Sequence, residues 1–201
     1  MKSVMVSIQP QWCELIASGK KTVEVRKRKP KIETPFKVYI YMTNNKNQPL
    51  RLLDNATPYW ETLHFGKGKA IGEFVCDDLE MLFDTNGNPQ NYMAEILPDI
   101  LKRTALTYKE FQLYANGRAS KNSIYGWHIS NLVIYAQPKE LSEFFVYCGE
   151  NPKCDGCEAH YYSNTESGKE DYCCSIVDGH RPLKRPPQSW CYVVEKGVAD
   201  E

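Results

Sequence analysis

The sequence predicts an α+β protein: a small mixed β-barrel flanked by helices, followed by a cysteine-rich C-terminal appendix. Three observations lead there. At least five segments between Val4 and Phe144 carry strand patterning, against few with helical spacing. Of the eight cysteines, Cys13 and Cys76 stand alone in apolar patterns, while six fall between Cys148 and Cys191. The 201 residues fit one domain with an elaboration or two small ones, a size at which folding buries roughly 70% of the unfolded chain's surface. The expected division is residues 1–144 for the barrel domain and residues 145–201 for a tail ending in a strand that packs back on it.

The elements follow in order. Val4 to Ile8 reads as a short buried strand, and Pro10 suits a first helical turn because its missing N–H would go unpaired there anyway. Trp12, Leu15 and Ile16 recur at helical spacing, and Gly19 is a natural stop because it accepts positive φ. From Thr22 to Arg26 the pattern alternates, so Val23 and Val25 share one face while Thr22, Glu24 and Arg26 share the other. Phe36 to Met42 is a further strand, rich in β-branched and aromatic residues. The polar stretch from Thr43 to Gly68 reads as an insertion or lid with a helical turn around Tyr59 to Leu63.

Lys69 to Cys76 is the next strand, with Gly72 marking a bulge. Helical spacing from Gln90 to Arg103 is interrupted by Pro98, which predicts a broken or kinked helix. Thr107 and Glu110 form a capping box, and Asn116-Gly117 ends the helix it opens. Ser123 to Tyr135 is one long strand, or two joined near Ser130 and Asn131. Pro186 to Val194 changes from rigid turn to strand.

Charge and hydropathy narrow the function classes. The formal net charge is zero, so the molecule as a whole exerts no long-range pull on nucleic acid or anionic membrane. No stretch approaches the ~20 consecutive apolar residues of a transmembrane helix, and the apolar run near Met1 is broken by Gln9, Pro10 and Gln11 before signal-peptide length. The expected compartment is the cytoplasm, where thiols stay reduced or bind metal.

One segment departs from neutrality. Between Gly19 and Lys37 there are eight Lys or Arg against two Glu. Phosphate contacts are one use of such a run; a solvated strand edge protected by lysines is the other. Within it, Gly19, Lys21, Glu24 and Arg26 keep a register in which one carboxylate stands between two cations and orients them. Lys27 and Arg28 extend the candidate ligand surface.

The run Ser7-Ile8-Gln9-Pro10 followed by Gly19-Lys20-Lys21-Thr22-Val23-Glu24-Val25-Arg26 resembles the start of ASCH-domain proteins, whose signature Gly-x-Lys-x-x-Glu-x-Arg it matches completely. Ala70 to Phe74 is similar to the family's central strand, and Tyr125 to Ser130, with Pro138 and Leu141, to its closing strands. The resemblance spans roughly Met1 to Phe144. It implies a PUA-like fold with a cleft beside the motif for RNA or a nucleotide-like small molecule, and makes Lys21 the functional lysine. Some relatives are similar to amidohydrolases acting on acetylcytidine, and RNA cleavage is also attributed to the family. The hydrolase subgroup carries threonine where this chain has Glu24, which sets it apart from that chemistry.

If the protein is an enzyme, Lys21 and Glu24 are the catalytic candidates, with Glu24 as a base if burial raises its pKa; otherwise the pair is a salt bridge that shapes the cleft. Glu73 reads as a strand residue paired with a cation before it reads as a second acid. Trp12, Tyr125, Trp127 and Trp190 are candidate stacking surfaces, of which one is expected to serve. His128, in an apolar strand, reads as structural.

In the tail, Cys154 and Cys157 enclose Asp155 and Gly156, the knuckle spacing that lets two thiolates meet one tetrahedral zinc. Cys148 precedes them, and Cys173 and Cys174 follow a polar loop. The expected structural zinc is held by Cys148, Cys154, Cys157 and Cys173 or Cys174, with His160 as a substitute; free thiols are the alternative. Three functions therefore compete: RNA or nucleotide binding, hydrolysis of an acylated nucleoside or RNA, and protein docking through the tail.

Overall fold

The computed structural model describes residues 3–44, 59–83, 89–116, 123–147 and 180–195. The elements in chain order are β1 (Ser3–Ile8), α1 (Pro10–Ala17), β2 (Val23–Arg26), β3 (Phe36–Met42), α2 (Trp60–Phe65), β4 (Ala70–Cys76) and β5 (Leu79–Phe83). Then come α3 (Pro89–Thr104), α4 (Tyr108–Asn116), β6 (Ile124–His128), β7 (Ser130–Lys139), a 3₁₀ turn (Leu141–Glu143), β8 (Phe144–Tyr147), β9 (His180–Pro182) and β10 (Trp190–Glu195). Most of the polar stretch after Thr43, the cysteine-rich stretch and every candidate zinc ligand lie outside the described residues, as does the docking surface expected there.

The strands form two sheets. Seven run in the order β7-β4-β3-β1-β10-β8-β9, all antiparallel except β1 beside β3, and three run β2-β6-β5. The architecture is mixed α+β with four helices among the described residues, but the expected barrel is not closed. A strand has two hydrogen-bonding edges. Those of β1 are taken by β3 and by β10, which returns from the C-terminus, so β2 pairs with β6 instead. Phe144, the expected domain boundary, opens β8, and β8, β9 and β10 all extend the main sheet.

Alternation along β1 explains its central place. Val4, Val6 and Ile8 face one core with Cys13, Ile16, Leu63 and Trp127, while Met5 faces a second with Tyr39, Phe144 and Val193. A strand buried on both faces reads as a continuous apolar run. Trp127 is fully buried and meets Phe36 edge-to-face at 5.8 Å. A third cluster, Val23, Val25, Leu82, Ile100, Phe111 and Ile124, packs α3 and α4 on the small sheet.

Local signals explain most boundaries. Gly19 ends α1 at φ +72°. Gly72 sits where β4 shifts register against β7, and a Cβ there would lie 2.4 Å from the Val133 carbonyl oxygen. The Thr107–Glu110 capping box is reciprocal, with the Thr107 N–H donating to Glu110 Oε2 at 2.8 Å and the Glu110 N–H to Thr107 Oγ1 at 3.2 Å. The stretch from Ser123 divides at Ile129: Asn131 takes φ +47°, and β6 and β7 join different sheets. Pro98 does not break α3, which runs on as one helix because its last turns pack Ile100 into the third cluster. Packing of an amphipathic face outweighs one lost hydrogen bond.

Candidate functional site

The turn after α1 delivers the charged cluster. The Lys21 N–H donates to the Leu15 carbonyl and the Thr22 N–H to the Arg103 carbonyl, both at 2.9 Å, which pins the start of β2 against the C-terminus of α3. Helix C-termini carry unpaired carbonyls and partial negative charge, so a cation is favoured there. The Lys21 ammonium takes that place, donating to the Thr104 and Val23 carbonyls at 2.9 Å each.

Lys21 and Glu24 are 3% and 5% exposed. Glu24 stands between the cations as its register predicts, with Oε2 at 3.4 Å from Lys21 Nζ and Oε1 at 3.0 Å from Arg26 Nη2. Arg26 Nη2 also donates to the Ser7 carbonyl at 2.7 Å. Burial pushes the Lys21 pKa down, and Glu24 partly restores it. The three ammonium hydrogens of Lys21 thus have three acceptors within the protein.

Beside the cluster lies a cleft of about 520 Å³, within the range of small-molecule sites. One wall is the end of β1 and the start of α1, with Ser7, Gln9 and Trp12; the floor is Lys21, Glu24 and Arg26. Leu106, Glu110, Leu113 and Tyr114, before and along α4, form the facing wall, and Thr43 and Gln188 complete it. Two residues of this lining hold a buried polar atom, Arg26 Nε and Thr43 Oγ1, with no hydrogen-bond partner among the described residues.

The sequence candidates divide. Lys21, Glu24, Arg26 and Trp12 meet in the cleft, and the Trp12 ring centre is 5.6 Å from Lys21 Nζ. Gly19 shapes the turn without lining the cleft. Lys27 sits beside it, over the ring of the wall residue Tyr114 at 5.2 Å, and Arg28 is exposed further along the loop. Trp127 is core, Trp190 packs on it and donates to the Arg28 carbonyl at 3.2 Å, and Tyr125 lies under Lys29. Glu73 is paired with Lys37 at 2.9 Å on the main sheet, outside the cleft. His128, expected to be structural, closes β6 outside the cleft, where its half-exposed ring meets Asp77 at 2.6 Å.

Thr43, Tyr114 and Gln188 were missed by sequence reasoning. They come from three distant segments, and nothing local marks them. Among the described residues, no group of three or more His, Cys, Asp or Glu could hold a metal ion, and no helix is long and apolar enough to cross a membrane.

No curated protein sequence matches the chain significantly. Its fold is similar to that of ZmASCH from Zymomonas mobilis. The crystal structure of a tyrosine-to-phenylalanine mutant gives a TM-score of 0.51 at 17% identity, covering 96% of this chain and 90% of that one. A serine-to-alanine mutant gives 0.50 at 15%, covering 94% and 87%. Residues 6–81 match the family model of the ASCH domain. The segment that carries the Gly19 to Arg26 cluster therefore belongs to the ASCH domain family.

Proposed function

We propose that the cleft binds RNA or a nucleotide-like small molecule. The carrying observation is that two residues of its lining, Arg26 and Thr43, each keep a buried polar atom, Nε and Oγ1, that has no hydrogen-bond partner among the described residues. A buried polar group without a partner costs about 1–3 kcal/mol, so a small turn of either side chain toward a guest's acceptor oxygens or base edge recovers that cost on binding. Trp12 and Tyr114 supply aromatic surface beside them. The exposed Arg28, Lys29 and Lys31, next to Lys27, suit a phosphate chain leaving the cleft. The ASCH family's link to RNA binding supports the same reading.

Titrating a short single-stranded RNA at several salt concentrations tests it. Affinity is expected to fall steeply with salt, with a slope of about −0.7 per phosphate contacted, and Arg26→Ala is expected to weaken binding at every salt. Affinity indifferent to ionic strength and to Arg26 would refute the proposal.

Hydrolysis of an acylated nucleoside or RNA is the second reading, favoured by the lowered Lys21 pKa beside Glu24. Against it stands the full set of internal acceptors around Nζ. Turnover of any member of a panel of acylated nucleosides and RNAs, abolished by Lys21→Met in a folded variant, would establish it. For the tail we propose a structural zinc held by Cys148, Cys154, Cys157 and Cys173 or Cys174. Metal analysis of reduced protein purified without chelator is expected to find one zinc per chain, and a zero would end the idea.

A further inference from the structure

The cleft is not built by the ASCH-matched segment alone. Gln188 lines it from the strap that leads into β10, more than a hundred residues beyond the segment that matches the family model. This strap is held by its backbone on both sides of Gln188. The Ser7 hydroxyl donates to the Pro187 carbonyl at 2.6 Å, and the Ser7 N–H donates to the Ser189 carbonyl at 2.9 Å. Ser7 in turn offers its own carbonyl to Arg26. One residue therefore ties the charged cluster to the strap and fixes where Gln188 stands.

The side chain itself is left over. Gln188 is exposed, and among the described residues its amide makes no hydrogen bond. A carboxamide carries an acceptor oxygen beside a two-hydrogen donor. That pairing matches the neighbouring donor and acceptor of a nucleobase edge, whereas a phosphate offers acceptors only. The cluster side of the cleft is cationic and suited to anions; the strap side is neutral and suited to a base.

We infer that Gln188 is a specificity-determining residue of the cleft, reading the hydrogen-bonding edge of a nucleobase whose phosphate or sugar oxygens face Arg26. The inference rests on the nucleotide-binding reading above. It makes the C-terminal strap part of the site as well as of the sheet.

The test uses the full chain, four homopolymeric single-stranded RNA octamers and an abasic octamer of equal charge. Wild-type protein is expected to prefer one homopolymer over the abasic strand. Gln188→Ala should cut that preference about 3- to 10-fold and leave abasic affinity and melting temperature unchanged. Gln188→Glu, which keeps the size but loses the donor, should reorder the four homopolymers. Unchanged preferences in both variants, or equal loss for abasic and base-bearing strands, would overturn the inference while leaving the Arg26 proposal standing. Equal wild-type affinity for all five strands would do the same, and no binding to any of them would remove both.

Discussion

Two groups of three charges sit at opposite sides of the small sheet and differ chiefly in burial. Lys21, Glu24 and Arg26 are nearly enclosed, with a single carboxylate serving two cations. Arg103, Glu80 and Asp99 reverse the count, one guanidinium serving two carboxylates, with side chains 30–60% exposed. Water can replace any member of the second group but has little access to the first. Buried charges cannot be left unpaired cheaply, while exposed pairs contribute about 0–1 kcal/mol. Similar chemistry therefore fixes a cleft floor in one place and decorates a surface in the other.

The sharpest way to break this contrast is to remove the shared carboxylate on each side. Glu24→Gln leaves two neighbouring cations in a buried site and is expected to cost about 3–5 kcal/mol in urea unfolding. Glu80→Gln should cost no more than about 1 kcal/mol. Equal losses would show that burial does not separate the two groups. Lys21→Met should fall between them, at about 1–3 kcal/mol, because Glu24 keeps Arg26 as partner and only the Val23 and Thr104 carbonyls lose their donor.

The pH dependence sharpens the contrast further. Burial pushes the Cys76 and Cys191 thiols up to about 12 and about 11, from 9.0. The unfolded chain releases those protons first, so their contribution is present below pH 9 and is lost as pH rises toward the folded values. Lys21 has the opposite sign: its lowered pKa makes the unfolded state bind more protons below 10.5, so its contribution rises with pH. Burial pushes up the Cys13 thiol and the Tyr39, Tyr41, Tyr114 and Tyr135 hydroxyls as well, so three thiols and four tyrosines against one lysine predict a melting temperature that falls between pH 9 and 11, with a shallower fall in Cys191→Ala. A rise over that window would mean that Lys21 dominates.

How far the chain could be read without coordinates follows the same physical divide. Gly19, Pro10, the Thr107–Glu110 box and the alternation of Val23, Glu24, Val25 and Arg26 act within a few residues, through φ preference, missing donors and the two-residue pleat. Each therefore announces itself in order along the chain, and the cluster on β2 is legible with its faces correctly assigned. Pro98 does not break α3, because its local penalty is set against a packing gain that appears only when Ile100 finds its cluster.

The remainder came from contacts between segments that carry no mark of one another. Nothing near Lys21 announces the Thr104 carbonyl 83 positions away. Nothing in Ser7 foretells the strap at Pro187, 180 positions on. Strand order was decided by which segment took the second edge of β1, a competition between distant strands that opened the barrel and left β2 to the small sheet. Short-range stereochemistry was enough to write the charged motif and its faces, but a cleft is a space between elements, and only packing brings its walls together.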